Sequence, residues 1–148
     1  MNLNKDLREF IELLNSSGVE YLIVGGHAVG FHAIPRYTRD IDILVGTTAE
    51  NAARMERVVA QFGFRSLGLA AKDFEVEDQI VQLGHPPNRI DLLTSITGVN
   101  FAEAWPKRVA AQLDGIPVWL LDRESLVANK RATGRSKDRA DLEALGEL

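Results

Sequence analysis

Asp40 and Asp42 stand two residues apart in the run RDIDILV, and carboxylates at that spacing in an otherwise apolar stretch are placed to hold a metal ion. Successive side chains of a strand point to opposite faces, so the two aspartates share one face while Ile41 and Ile43 take the other. The like charges then lie roughly 7 Å apart along the strand at 3.3 Å per residue, and they repel unless a cation stands between them. A divalent ion is the simplest relief. Asp91 occupies a similar place in a second apolar run, Ile90 to Leu93. If the two runs are neighbouring strands, three carboxylates converge on one face, and such hard oxygen ligands suit Mg²⁺. The plainer alternative is a strand end with solvated aspartates. Aspartate is depleted in strands, however, and the immediate continuation through Ile43, Leu44 and Val45 fits a solvated edge poorly.

Gly25 and Gly26 follow the apolar run YLIV. Glycines where a strand hands over to a helix allow a tight turn and let backbone N–H groups approach a ligand, while the new helix turns its positive end to an anion. A tight turn with no ligand is the competing reading, and glycine serves turns commonly. Arg36, Thr38 and Arg39 lead into the acidic strand; they are either solvated loop residues or, for the arginines, forks suited to phosphate oxygens. Lys130 and Lys137 are two helical turns apart, so an unbroken helix sets both on one face, and with Arg123, Arg131, Arg135 and Arg139 they form the basic cluster of the chain. Such a run is more often a solvated helix face than a binding site. His27, His32 and His85 make no metal set, because 27 and 32 miss the i, i+4 spacing of a helical zinc pair. His27 stands next to the glycines, within reach of a phosphate; a hydrogen-bonded structural role is the alternative for each histidine. Trp105 and Trp119 read as core anchors rather than base-stacking platforms.

The elements that must position these groups follow from periodicity. Leu3, Leu7, Phe10, Ile11, Leu13 and Leu14 predict an amphipathic helix over 4–16, stopped by Ser16, Ser17 and Gly18. Val19 to Val24 predicts a strand covered on both faces, 27–33 a short buried helix ending before Pro35, and 41–45 the acidic strand. Thr47 or Thr48 caps a helix carrying Ala52, Met55, Val58, Val59 and Phe62, and Gly63 ends it. Short strands are then expected at 64–69, 74–77, 80–83 and 89–93, the last two joined as a hairpin across Gly84 to Asn88. A helical turn at 101–105 precedes a second hairpin, 109–113 and 116–120, around Asp114-Gly115. A final helical region runs from Arg123 to Leu145, with a break expected around Gly134. There is no internal repeat or linker, so one α/β domain is the economical reading.

The 148 residues suffice for a real core, and a net charge of −4 argues against a nucleic-acid coat through charge alone. Without cysteine there are no disulfides and no thiolate metal sites. The N-terminus is charged and amphipathic, unlike a signal sequence, and no apolar run reaches the roughly 18 residues of a membrane span. A cytoplasmic protein with no membrane partner is the expectation.

In order, Gly25, Gly26, Asp40, Asp42 and Asp91 resemble the signature of the nucleotidyltransferase superfamily with the DNA polymerase β-like fold. GGHAV followed by RYTRDIDILV, together with the tail LVANKRATGRSKDRADLEAL, is similar to a small bacterial branch related to AbiEii-type toxins. The core resemblance covers about residues 1–95; the hairpin and helices of about 100–148 carry a weaker one. The resemblance implies an α/β (α+β) fold, a mixed sheet flanked by helices with a helical C-terminal tail. It implies transfer of an NMP from an NTP to a hydroxyl acceptor with two Mg²⁺ ions and release of pyrophosphate. Asp40 and Asp42 would hold both ions and Asp91 the first, also helping to deprotonate the acceptor. Gly25 and Gly26 would cradle the β- and γ-phosphates, with Arg36, Arg39, Lys130 and Lys137 as nucleotide contacts. RNA, tRNA or a protein is the implied acceptor, with an antitoxin as a further partner; separately, the little length left for an acceptor domain points to a second subunit that completes the acceptor pocket. A small-molecule acceptor, or a non-catalytic nucleotide- or partner-binding domain, stays open as the alternative.

Overall fold

The computed structural model describes residues 4–33, 40–85 and 88–147. Asn4 opens the first helix, α1 (Lys5–Ser16), by accepting a 2.9 Å hydrogen bond from the Leu7 amide. Leu7, Phe10, Ile11 and Leu14 form its buried stripe. The buried strand β1 (Tyr21–Val24) runs straight into α2 (Gly25–His32), and β2 (Ile41–Val45) follows. Thr48 caps α3 (Ala49–Val59), its hydroxyl accepting from the Asn51 amide. Then come β3 (Ile80–Leu83), β4 (Ile90–Leu93), α4 (Phe101–Ala104), β5 (Val109–Leu113), β6 (Ile116–Leu120), α5 (Arg123–Thr133) and α6 (Ser136–Ala144).

The six strands make one mixed sheet in the order β3-β4-β2-β1-β6-β5. β1 is antiparallel to β2 and parallel to β6, while β2 is parallel to β4. Period-2 alternation divides the sheet into two cores. Ile23, Ile41, Ile43 and Val45 pack with α1 and α3 on one face, and Leu22, Val24 and Leu44 pack with α2, α5 and α6 on the other. The expected mixed α/β sheet flanked by helices is what forms. The C-terminal hairpin is part of it, since β6 lies beside β1 in the middle of the sheet. Asp114 (φ 51°) and Gly115 (φ 80°) both adopt the left-handed region, as a two-residue turn of type I′ requires.

Two expected strands are replaced. Residues 64–69 and 74–77 hold no strand; a π turn at Ala60–Phe64 and single 3₁₀ turns at Arg65–Leu67 and Ala71–Phe74 take their place. Gly63 (φ 107°) and Gly68 (φ 67°) interrupt extension. The Glu56 and Asp73 carboxylates accept from the Ala71 and Ala70 amides, satisfying locally the groups a ladder would have used. Phe74 is buried against α3 as a helical-turn residue instead. Trp105 and Trp119 meet edge to face, with the Arg108 guanidinium 4.0 and 4.5 Å from their ring centres. Both pack against the second core, as core anchors would.

Candidate active site

The parallel pairing of β2 with β4 places Asp42 directly opposite Asp91. Both carboxylates therefore stand side by side on the face that also carries Leu44 and Leu93. Burial raises the Asp42 pKa to about 6, and the neighbouring Asp91 and, more weakly, Asp40 push in the same direction; Lys137 opposes them. An excess of negative charge gathers here, which a cation would relieve.

Gly25 closes one side of this site. Its φ is +67°, and a Cβ built on it would lie 2.2 Å from Asp42 Oδ2. The residue is thus fixed as glycine twice over, by backbone conformation and by the carboxylate pressed against it. Because α2 starts at this position, its first turn and Asp42 border the same cleft, of about 660 Å³, with Gly26, Lys130, Arg135 and Lys137. Negative and positive groups thus face one another across a space of ligand size.

Asp40 lies half-buried just before β2 and accepts a 3.0 Å hydrogen bond from the Arg89 amide. The Arg89 side chain joins the carboxylates further: Nε and Nη2 reach Asp91 Oδ1 and Oδ2 at 2.7 and 3.1 Å, and Nη2 lies 3.6 Å from Asp40 Oδ2. Arg89 was not among the expected site residues. Its position two residues before Asp91 is the signal, since i and i+2 of a strand share a face.

The condition for a shared face of Lys130 and Lys137, an unbroken helix, is not met, because the chain breaks at Gly134, where a break was expected. Gly134 (φ 62°) ends α5, its amide bonded to the Lys130 carbonyl, and Arg135 restarts the chain in extended conformation. Lys137 stands exposed at the start of α6, whereas Lys130 is 4% exposed and paired with Asp138 (3.3 Å) and Asp141 (3.1 Å). Asp138, fully buried, also accepts from Thr133 Oγ1, the Arg135 amide and Arg135 Nε. These donors hold its carboxyl well below the usual range, Arg135 foremost. The sequence signal for this network is the spacing KxxxxxxxDxxD, in which the two aspartates matter as much as the cation. Arg36, Thr38 and Arg39 lie outside the described residues. His32 Nε2 donates to the Leu121 carbonyl at 2.8 Å. His27 is buried with no hydrogen-bond partner among the described residues at either ring nitrogen, and burial lowers its pKa to about 4, so the ring is neutral.

Among the described residues, no three of His, Cys, Asp and Glu gather as a complete metal cluster. Asp40 and Asp42 nevertheless fit a divalent ion, because Mg²⁺ is commonly held by one or two carboxylates with substrate phosphates completing its shell.

The backbone is similar to that of a Thermotoga maritima protein described as a candidate nucleotidyltransferase, with a TM-score of 0.62 and 16% identity over 93% of this chain and 88% of that one. It is also similar to an antigenic nucleotidyltransferase-like protein from Paracoccidioides brasiliensis, with a TM-score of 0.55 and 16% identity over 98% and 76% of the two chains. At such identities the likeness is one of fold. Comparison with curated protein sequences finds no match. Residues 2–146 match the profile of one family, and the chain belongs to it: the family described as nucleotidyltransferase of unknown function (DUF6036).

Proposed function

We propose that this protein transfers a nucleoside monophosphate from an NTP to a hydroxyl acceptor, with a divalent metal ion, Mg²⁺ by its oxygen ligands, held by Asp40 and Asp42. The observation that supports the reading is Gly25 pressed against Asp42 at the head of α2, which brings the first turn of a helix and a buried carboxylate together on one cleft. The bound ion would supply charge neutralisation for the triphosphate and Lewis-acid polarisation at the reacting phosphorus. The chain's own groups do the rest. Gly25 and Gly26 offer amides to the β- and γ-phosphates, and Lys137 and Arg135 line the same cleft as cations. The acceptor oxygen forms a bond to the α-phosphorus, the bond from that phosphorus to the α,β-bridging oxygen breaks, and pyrophosphate leaves. The acceptor's proton goes to the Asp91 carboxylate. Lys130, committed to Asp138 and Asp141, supports the wall of the cleft rather than gripping phosphate.

For the acceptor, the resemblance to AbiEii-type toxins and the exposed cations of α5 and α6 favour RNA or a protein, with an antitoxin as the implied partner. Incubation with each α-³²P-labelled NTP and Mg²⁺, with total RNA, cell extract or no macromolecule, tests this. Label on an RNA or protein band that Asp42→Ala abolishes supports the reading. Label confined to a small product points to a small-molecule acceptor, and Mg·NTP binding with no transfer under any condition leaves a binding domain and sinks the enzyme.

A further inference from the structure

We infer that the free edge of β3 docks the acceptor as an extended, basic protein segment, which adds a further strand to the sheet and carries its hydroxyl towards Asp91. The inference rests on the nucleotidyltransferase reading and narrows its acceptor. β3 is the outer strand of the sheet, with β4 on one side and, among the described residues, no strand on the other. The antiparallel register fixes which backbone groups are left over. The Gln79 carbonyl accepts from the Thr94 amide at 3.1 Å, and the Gln79 amide donates to Thr94 Oγ1 at 2.9 Å. Hydrogen-bonded pairs alternate along an antiparallel ladder, so the amides and carbonyls of Ile80 and Gln82 point away from β4. The strand, IVQL, holds neither charge nor proline, the devices by which edges commonly refuse a partner. Ile80, at 63%, is the most exposed large apolar side chain among the described residues.

The place of this edge in the site says what would arrive there. Gln82 pairs with Asp91 and Asp91 with Asp42, so the three stand in one row across β3, β4 and β2 and share a face. Asp42 and Gly25 hold the triphosphate end of the row. The acceptor therefore comes from the other end, beyond Asp91, and that end is β3. With strands about 4.8 Å apart, a residue opposite Gln82 on an added strand stands roughly 10 Å from Asp91, backbone to backbone, and turns its side chain to the same face. Ile80 lines the same cleft as Asp42 and Gly25, so the added strand runs along its rim. Its hydroxyl oxygen bonds to the α-phosphorus as pyrophosphate leaves, and the proton passes to Asp91. Charge selects the segment. Just before β3, Asp73, Glu75, Glu77 and Asp78 are all exposed, against the single cation Lys72. Such a rim repels the phosphates of RNA and attracts lysine or arginine.

Short peptides of alternating lysine and valine around a central serine, threonine or tyrosine test this on the full chain, beside versions with glutamate for lysine and beside total RNA. Each α-³²P-labelled NTP is supplied with Mg²⁺. The expected result is label on the basic peptides, with slowed hydrogen exchange at the Ile80 and Gln82 amides when they bind. The glutamate versions should take roughly 10-fold less label, and so should the basic peptides on the double variant Glu75→Lys, Glu77→Lys, whose Mg·NTP affinity stays unchanged. If that variant does not fold, the contrast between basic and glutamate peptides on the unmodified protein decides the charge argument. Label on RNA alone, or on peptides with exchange at β3 unchanged, overturns the inference and leaves nucleotidyl transfer standing. Peptides that slow exchange at β3 but take no label overturn it too, because the edge would not serve the acceptor, and so does the absence of both signals. Failure to bind any of the four NTPs with Mg²⁺ removes the underlying reading, and the inference with it.

Discussion

Gly25 shows how far one residue can be constrained. A side chain there meets Asp42 Oδ2 at 2.2 Å and must also adopt a φ of +67°, a conformation costing about 1–2 kcal/mol for a residue with a Cβ. Gly25→Ala is therefore expected to lower the melting temperature by a few degrees. It should also displace Asp42, cutting transfer by on the order of 100-fold, since a shift of about 1 Å at a reacting centre suffices for that. Thermal unfolding and initial rates check the two effects separately; unchanged transfer would show that the glycine serves only the turn. The sequence made the need for glycine visible and the carboxylate behind it invisible. Asp42 is distant in the chain and reaches Gly25 only because β1 and β2 are antiparallel, with Val24 opposite Asp42.

The α5–α6 corner separates two lysines that look alike in the sequence. Lys130 is the cation inside a buried group with Asp138 and Asp141, and Lys137 is exposed beside Asp42. Removing one partner from a buried ion pair costs about 3–5 kcal/mol because the other charges remain. Lys130→Met should thus lower the melting temperature by roughly 10 °C in a chain of this size. Lys137→Ala should leave the melting temperature within about 2 °C, as an exposed change does, and weaken Mg·NTP binding several-fold. Calorimetric unfolding and nucleotide titration of both variants distinguish them. Equal destabilisation, or equal loss of binding, would contradict the division. An unbroken helix would put both lysines on one stripe; the break expected around Gly134 separates them, since its left-handed φ ends α5 and lets α6 fold back until Asp138 and Asp141 reach Lys130.

At the scale of the molecule, the C-terminal hairpin and helices are structural members of the sheet. β6 flanks β1 and lines both cores, and α5 and α6 cover the face that carries Asp42. A fragment of residues 1–107 leaves the β1 edge unpaired and strips Leu120, Leu121 and Leu126 from the two cores. It is expected to lack cooperative thermal unfolding, which calorimetry or near-ultraviolet circular dichroism would show. A cooperative transition in the fragment would mean that β2, β4 and α1 form a self-sufficient core. The absence of signature residues from the tail says little about its mechanical share, because packing tolerates many apolar side chains of similar volume.

The sequence by itself determined what depends on neighbours in the chain. The alternation Asp40-Ile41-Asp42-Ile43, the glycine turn after YLIV, the Asp114-Gly115 hairpin and the capped stripes of α1 and α3 follow from periods of 2 and 3.6 and from turn chemistry. Where local rules were ambiguous, at 64–77, they gave strands that the fold does not build. Only the tertiary structure decided that β4 rather than another strand lies parallel to β2, that Asp42 therefore faces Asp91, that Arg89 closes on both outer carboxylates, and that Lys130 is spent inside the protein. The physical reason is range. Backbone geometry propagates along the chain over a few residues, whereas the partner of a charge is set by strand order and by which groups burial forces together.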